Sequence, residues 1–219
     1  MSETEKRYAQ IEKEALAITW ACEKFSNYLI GKTFHFETDH KPLVPLLSTK
    51  DIAEFPPRIQ RFRMRLLRFD FSIKHVAGKE LNIADTLSRA PVGNMSESDK
   101  KFETETNAFV DAIVSSFPAS TNKLECIKNE CAKDDICKNI IYYCKHGWPE
   151  KSSLKDNLHP YWNMRGEFTV NSDLLLKGTR LVIPESLQAD ILARLHDGHQ
   201  GINKCRQRAK STGLVVRYR

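Results

Sequence analysis

The sequence predicts an α/β protein whose first part alternates helices and strands and whose second part is mainly helical, with a small antiparallel β element. The strongest helical signal covers residues 7–30, where apolar residues recur at helical spacing. Residues 33–38 read as a strand, and residues 69–76 alternate apolar and polar side chains, as a half-buried strand does. Two strands separated by helical segments support the mixed class.

Three further helices complete the predicted first domain, which covers residues 1–90. Residues 40–48 predict a short helix, and residues 57–68 predict a basic helix that begins at a pair of prolines. Residues 82–89 have a short helical pattern that closes the domain. A polar stretch poor in bulky apolar residues follows, and we interpret residues 91–120 as a linker. Within it, residues 107–116 predict a weak amphipathic helix.

The second half of the chain has a different organisation. A helical pattern runs from residue 122 to residue 146, and turn residues separate three short apolar runs that predict strands. These runs cover residues 168–170, 174–176 and 180–183. We therefore predict a helical segment with a small β element over residues 121–183 and a further region over residues 184–219, which begins with a helix.

Composition excludes several protein classes. No apolar run approaches the ~20 residues that a membrane-spanning helix needs, and the N-terminus lacks the charged and apolar pattern of a signal peptide. We therefore expect an intracellular protein of the cytoplasm or nucleus, with no membrane partner. The six cysteines include no C-x-x-C pair, so free thiols are expected.

The net charge of +6 is concentrated near the C-terminus. Residues 194–219 contain seven Lys or Arg and one acidic residue, Asp197. A tail of this density indicates a polyanionic partner such as nucleic acid. The alternative is a tail that serves only solubility.

Three carboxylates form the first candidate site. Within residues 7–30, an apolar seam runs through Ile11, Ile18, Ala21, Phe25 and Tyr28. Helical geometry places Glu14 in that seam and directs Glu12 and Glu23 away from it. A buried carboxylate needs a partner or a ligand. Converging carboxylates hold hard divalent ions, and the candidates to join Glu14 are Asp39, after the first strand, and Asp85, in the closing helix.

Each of these carboxylates also has a structural interpretation. Glu14 pairs equally well with an arginine from residues 58–68, Asp39 suits a helix N-cap, and Asp85 suits a solvated helix position. The sequence pattern leaves these alternatives open.

The basic helix is the second candidate site. Arg58, Arg61, Arg65 and Arg68 recur at spacings of three and four and share one helix face. Arginine suits bidentate contact with phosphates along a nucleic-acid backbone. The alternative is a solubilising face, or one that pairs with acidic residues elsewhere in the fold.

The order of motifs in residues 1–90 resembles the ribonuclease H domain of a gypsy-type LTR-retrotransposon Pol polyprotein. The motifs that carry this resemblance are Tyr8…Ile11-Glu-Lys-Glu-Ala-Leu-Ala-Ile18, Phe25…Tyr28-Leu-Ile-Gly31, Glu37-Thr-Asp-His-Lys-Pro-Leu43 and Gly78-Lys-Glu…Ala84-Asp-Thr-Leu-Ser-Arg89. The resemblance implies a ribonuclease H-like fold that hydrolyses the RNA strand of an RNA–DNA hybrid with Mg²⁺ or Mn²⁺.

The resemblance also assigns roles to individual residues. Glu14, Asp39 and Asp85 match the second, third and fourth metal ligands of the family, and His75 matches a mobile-loop histidine thought to help the product leave. The implied partners are the hybrid, or another nucleic acid, and the upstream reverse-transcriptase part of the polyprotein.

The family's domain begins with three strands, and the first of them carries an aspartate that contacts both metals. No residue of this chain matches that aspartate, so we expect a partial ribonuclease H-like fold that does not cleave the hybrid by itself. The first alternative is a catalytically inactive remnant that binds nucleic acid.

A second resemblance lies near the C-terminus. The stretch Val182-Ile-Pro…Leu195-His-Asp-Gly-His-Gln-Gly201 resembles the start of the integrase zinc-binding domain. It implies that His196 and His199 are Zn²⁺ ligands, which the family completes with a C-x-x-C pair. Only Cys205 follows in this chain, so we expect an incomplete zinc site. A zinc-dependent interaction module is the second alternative.

Overall fold

The computed structural model describes residues 1–48, 51, 52, 55–81, 84, 86, 87, 96–117, 119–196 and 214–216, with the backbone alone at 195, 196 and 214–216. The chain forms two compact units, Met1–Asp111 and Ala112–Arg219. Each unit is described by itself. Within the described residues, no helix has both the length and the apolar character needed to cross a membrane.

The first unit follows the predicted order of elements. Its elements are α1 (Gln10–Lys24), α2 (Ser26–Leu29), β1 (Thr33–Thr38), α3 (Leu43–Ser48), α4 (Pro57–Leu66), β2 (Asp70–His75) and α5 (Glu97–Ser115). Both predicted strands are confirmed to within one residue at each end. The predicted helix over residues 82–89 lies largely outside the described residues.

The two strands pair in parallel, with Thr33 opposite Asp70 and Thr38 opposite His75. Aromatic side chains cross the pair, and the Phe36 and Phe71 ring centroids lie 5.2 Å apart. Because parallel strands end at the same edge of a sheet, the residues that follow Thr38 and His75 are brought together.

The buried stripe of α1 differs from the predicted seam. It consists of Ile11, Glu12, Ala15, Leu16, Thr19 and Cys22. The predicted seam is wrong because the helix is interrupted at Phe25, so Phe25 and Tyr28 do not extend the same face and are 52% and 73% exposed. Glu12, predicted to point outward, is fully buried, whereas Glu14 is only partly buried.

Arg58 explains how the core tolerates Glu12. Its Nη1 lies 3.3 Å from each carboxylate oxygen of Glu12, and its guanidinium lies 4.4 Å from the centre of the Tyr8 ring. Glu12 Oε2 also accepts a hydrogen bond from the Ala9 backbone N–H at 2.9 Å, which satisfies a free amide at the start of α1. The pair therefore joins α1 to α4 inside the first unit.

Helix α5 corrects the predicted linker over residues 91–120. Phe102, Thr106 and Val110 are buried, and the Phe102 ring lies 5.8 Å from that of Phe62 in α4. Polar contacts add to this packing, since the Tyr8 hydroxyl donates to Asn107 Oδ1 at 3.1 Å. The weak amphipathic helix predicted over residues 107–116 is confirmed as the C-terminal part of α5, whereas residues 97–106 contain few apolar side chains and so give no helical pattern.

The second unit begins with a helical pair. Its elements are α6 (Thr121–Lys133), α7 (Asp135–His146), α8 (His159–Asn163), β3 (Phe168–Asn171), β4 (Leu174–Lys177), β5 (Arg180–Ile183), α9 (Glu185–His196) and β6 (Leu214–Val216). The predicted helix over residues 122–146 divides at Asp134, whose side chain accepts hydrogen bonds from Ile136 N and Cys137 N. Asp134 is thus the N-cap of α7.

The predicted antiparallel β element is confirmed. Phe168 pairs with Lys177 across β3 and β4, and Leu176 pairs with Leu181 across β4 and β5. Ser172 and Asp173 form the first turn with φ angles of 47° and 64°, as a two-residue hairpin requires. Strand β6, which the sequence did not predict, pairs in parallel with β5.

The buried ion pair leads to a stability prediction. Arg58→Ala leaves the Glu12 carboxylate buried without this partner, so we expect the first unit to lose about 3–5 kcal/mol of stability. Urea-dependent hydrogen exchange of the α1 and α4 amides measures this loss. Arg68→Ala is the matched control and should cost at most about 1 kcal/mol, because its partner Glu23 is solvent-accessible. Equal losses for the two variants would contradict a structural role specific to Arg58.

Candidate functional site

The candidate site lies at the carboxyl ends of β1 and β2. Asp39 directly follows β1 and has an exposed side chain. The preceding Thr38 is buried, and its carbonyl accepts a hydrogen bond from the Val76 N–H at 2.9 Å. This bond extends the pairing of the strands by one residue and fixes the backbone from which Asp39 projects.

Gly78 lies against the Asp39 carboxylate. A Cβ atom built on Gly78 would come within 3.0 Å of Asp39 Oδ2, closer than almost all real Cβ contacts. A side chain at position 78 would therefore displace the carboxylate. Gly78 forms part of a sequence motif, but no local pattern identifies it as a residue of the site.

Glu14 approaches the same place from α1. Gln10 Nε2 donates a hydrogen bond to Glu14 Oε1 at 2.9 Å. Burial raises the pKa of the Glu14 carboxyl, and the negative charge of Asp39 raises this pKa further, while the Gln10 hydrogen bond lowers it. The charge of Asp39 thus acts on the Glu14 carboxyl.

The remaining predicted ligands are only partly described. His75 ends β2 opposite Thr38 and has an exposed side chain, so it belongs to the same sheet edge as Asp39. Asp85 lies outside the residues that the structure describes. Among the described side chains, no three His, Cys, Asp or Glu lie together as a metal site.

The chemistry of Glu14 and Asp39 nevertheless suits a cation. Carboxylate oxygens are the ligands that Mg²⁺ and Mn²⁺ prefer, and a divalent ion between two carboxylates relieves their mutual repulsion. Burial is the main cause of the raised pKa of Glu14, and repulsion from Asp39 adds to it. Glu14 and Asp39 would therefore hold the ion at this edge of the sheet.

Comparison with known proteins agrees with this geometry. Residues 1–69 match the family model described as the RNase H-like domain found in reverse transcriptase, and they include both Glu14 and Asp39. Several Pol polyproteins of transposons match the chain as well. The chain is therefore similar to a fragment of a retrotransposon Pol polyprotein, and the similarity includes the RNase H-like part.

The relatives compared in detail come from Drosophila melanogaster. The Pol polyprotein from transposon 297 is 39% identical over 92 residues, which is 42% of this chain and 8% of that polyprotein. The Pol polyprotein from transposon opus is 28% identical over 158 residues, and that from transposon gypsy is 25% identical over 148 residues. These matches cover 68% and 65% of this chain but only 15% and 14% of the polyproteins. No solved structure gives a significant match.

The arginines of α4 were predicted to bind phosphates, but the structure places them in a different environment. Arg58 is 6% exposed and paired with Glu12, so it is part of the core and has almost no surface to offer a nucleic acid. The prediction for Arg58 is therefore corrected. The error arose because periodicity groups residues by helix face but does not show which other helix covers that face.

The other three arginines also contact carboxylates. Arg61 Nη2 lies 2.9 Å from Glu105 Oε2, and Arg65 contacts both Glu105 and Glu23. Arg68 Nη2 lies 2.6 Å from Glu23 Oε2, but the Arg68 side chain remains 48% exposed. Pairing with acidic residues, the alternative that the sequence left open, thus describes the environment of the whole arginine face.

The predicted zinc ligands lie beyond the described side chains. His196 ends α9, but its side chain is not described, and His199 and Cys205 lie outside the described residues. The zinc site therefore stays a prediction. The described cysteines form no disulfide.

The raised pKa of Glu14 leads to a prediction about pH. A carboxyl whose folded-state pKa lies above its unfolded value of 4.5 contributes stability below that value and loses it as pH rises through the folded-state pKa. We therefore expect Glu14→Gln to stabilise the first unit at pH 8 in buffers without divalent cations. The gain should shrink as the pH falls toward 4.5.

Hydrogen exchange of the α1 amides at pH 5 and pH 8 measures this gain, with rates corrected for intrinsic exchange. Glu37→Gln, which neutralises an exposed carboxylate on β1, is the control and should show no comparable pH dependence. A Glu14→Gln variant that is less stable than the unmodified chain at pH 8 would refute the proposed repulsion between Glu14 and Asp39.

Proposed function

We propose that residues 1–90 supply part of the active site of a Pol ribonuclease H, which hydrolyses the RNA strand of an RNA–DNA hybrid with Mg²⁺ or Mn²⁺. The observation that carries this proposal is the position of Asp39 at the carboxyl ends of two parallel strands, where its charge acts on the half-buried Glu14 carboxyl of α1. The match of residues 1–69 to the RNase H-like domain found in reverse transcriptase supports it.

Each residue has a role in this proposal. Glu14 and Asp39 are cation ligands, Gly78 leaves room for the Asp39 carboxylate, and Asp85 is the third ligand on sequence grounds. His75, which ends β2 at the same edge, would help the product leave. The bound ions would supply an activated water and stabilise the leaving oxygen.

The two-stranded sheet has an edge with which additional strands can pair. Among the described residues, β1 pairs only with β2, which leaves the other edge of β1 open. Three large apolar side chains of the segment leading into β1 are exposed: Phe25, Tyr28 and Ile30. We propose that strands from the upstream part of a Pol polyprotein pair with this edge and bury these side chains, because exposed edges and apolar patches favour association.

Fewer arginines of this domain are proposed to contact nucleic acid than the sequence suggested. Arg68 retains exposed surface, whereas Arg61 is paired with Glu105 and Arg65 with both Glu105 and Glu23. We propose that Arg68 contacts the hybrid backbone. We further propose that residues 184–219 correspond to an integrase N-terminal region, with His196 and His199 as its Zn²⁺ ligands, and that the protein works inside the cell.

Metal binding tests the proposed site directly. Electron paramagnetic resonance of Mn²⁺ measures the free ion in the presence of the complete chain. We expect Asp39→Asn and Glu14→Gln each to weaken Mn²⁺ binding by about 10- to 100-fold, because each removes one carboxylate ligand. Glu37→Gln should leave the affinity unchanged. Unchanged Mn²⁺ affinity in both ligand variants would refute the metal site.

Cleavage of a labelled RNA–DNA hybrid tests the activity. We expect a Pol protein that joins this chain to the reverse-transcriptase part of the transposon 297 relative to cleave the RNA strand. Asp39→Asn in that protein should reduce the rate by at least about 100-fold while hybrid binding persists. Cleavage that is insensitive to Asp39→Asn would assign the activity to another site.

A further inference from the structure

Aromatic rings collect at the C-terminal end of α7, in the second unit. The Tyr142 and His146 ring centroids lie 4.5 Å apart, and those of Tyr142 and Tyr143 lie 5.7 Å apart. The chain turns at Gly147, with a φ of 99°, and brings Trp148 to 5.3 Å from Tyr143. These contacts join four rings from one helix end into a single aromatic surface.

The core of the second unit does not account for this surface. The buried side of α7 consists of Cys137, Ile140 and Cys144. Tyr142 lies away from that side and is 57% exposed, and His146 is exposed as well. Tyr142 therefore presents an open ring face beside three other rings, and exposed aromatic surface of this kind suits binding.

A second ring adjoins the first group through Pro149. The Trp162 Nε1–H donates a hydrogen bond to the Pro149 carbonyl at 2.9 Å, which ties α8 to the segment after Trp148. The Arg165 guanidinium lies 3.7 Å from the centre of the Trp162 ring, and Lys151 Nζ lies 6.0 Å from it. One aromatic ring and two cations thus lie together at this place.

The charge around these rings is positive. Residues 138–165 contain five Lys or Arg and two acidic residues, Glu150 and Asp156. From the neighbouring segments, Asp173 pairs with Lys145 at 3.0 Å and Glu167 lies 3.7 Å from Lys177. The cations Lys138, Lys151 and Lys155 are exposed. The surface therefore combines open rings with an excess of positive charge.

We propose that this surface, formed by Tyr142, Tyr143, His146, Trp148, Trp162 and Arg165, binds single-stranded nucleic acid. Unpaired bases stack on exposed rings, and the surrounding cations contact the phosphates. A duplex keeps its bases stacked on each other and so cannot use the rings in this way. The positive charge favours a polyanion over an apolar protein partner. The site is separate from the carboxylates of the first unit and requires no metal.

The test measures fluorescence anisotropy of a labelled single-stranded oligonucleotide with the complete chain in EDTA, which excludes metal-dependent binding. We expect Tyr142→Ala to weaken binding at least about fivefold, the lower end of the loss for one base–aromatic stack. Tyr142→Phe keeps the ring and should bind as the unmodified chain does. Tyr28→Ala removes a tyrosine of the first unit that is 73% exposed, and it is the matched control.

Competition with duplex defines the ligand. An unlabelled single strand should displace the probe more effectively than an RNA–DNA hybrid of the same length, and Tyr142→Ala should reduce this preference. Equal affinity of Tyr142→Ala and the unmodified chain for the single strand would overturn the proposal. So would equal loss in Tyr142→Ala and Tyr28→Ala. If Tyr142→Ala instead abolishes only the capture of a protein, the surface is a protein-binding site and the proposal is wrong.

Discussion

The ion pair between Glu12 and Arg58 is the constraint on which the first unit depends. Each of these two charges is buried away from water and is tolerated only because the other lies beside it. The contacts between them therefore determine where the surrounding helices lie. Glu12 also closes the start of α1 through the Ala9 N–H, and Arg58 packs against the Tyr8 ring. The same tyrosine donates to Asn107, so the network that begins in α1 and α4 extends to α5.

This arrangement changes how the basic helix is understood. The arginine face is largely directed at carboxylates of the same unit, which neutralise its charge and hold α5 in place. The phosphate-binding capacity of the first unit is therefore smaller than the composition of α4 suggests. Among these arginines, Arg68 keeps the most exposed surface, while open rings and unneutralised lysines occur in the second unit.

The candidate metal centre brings together two like charges, in contrast to the ion pair of opposite charges in the core. The strands place Asp39 at an edge where it is exposed, and α1 brings Glu14 close enough for their charges to repel. Repulsion of this kind costs stability in the absence of a cation and favours cation binding. The fold thus keeps one glutamate of α1 neutralised in the core and leaves another, two residues later, to the site.

The sequence by itself determined the two strands of the first unit and the order of the helices around them, and it proposed Glu14 and Asp39 as candidate ligands, because periodicity and motif order are local properties. It also placed the antiparallel element of the second unit. Only the tertiary structure decided that Glu12 is buried, that Arg58 belongs to the core, and that α5 packs on the first unit. These outcomes depend on charge pairs between residues more than forty positions apart, and local pattern carries no information about such partners.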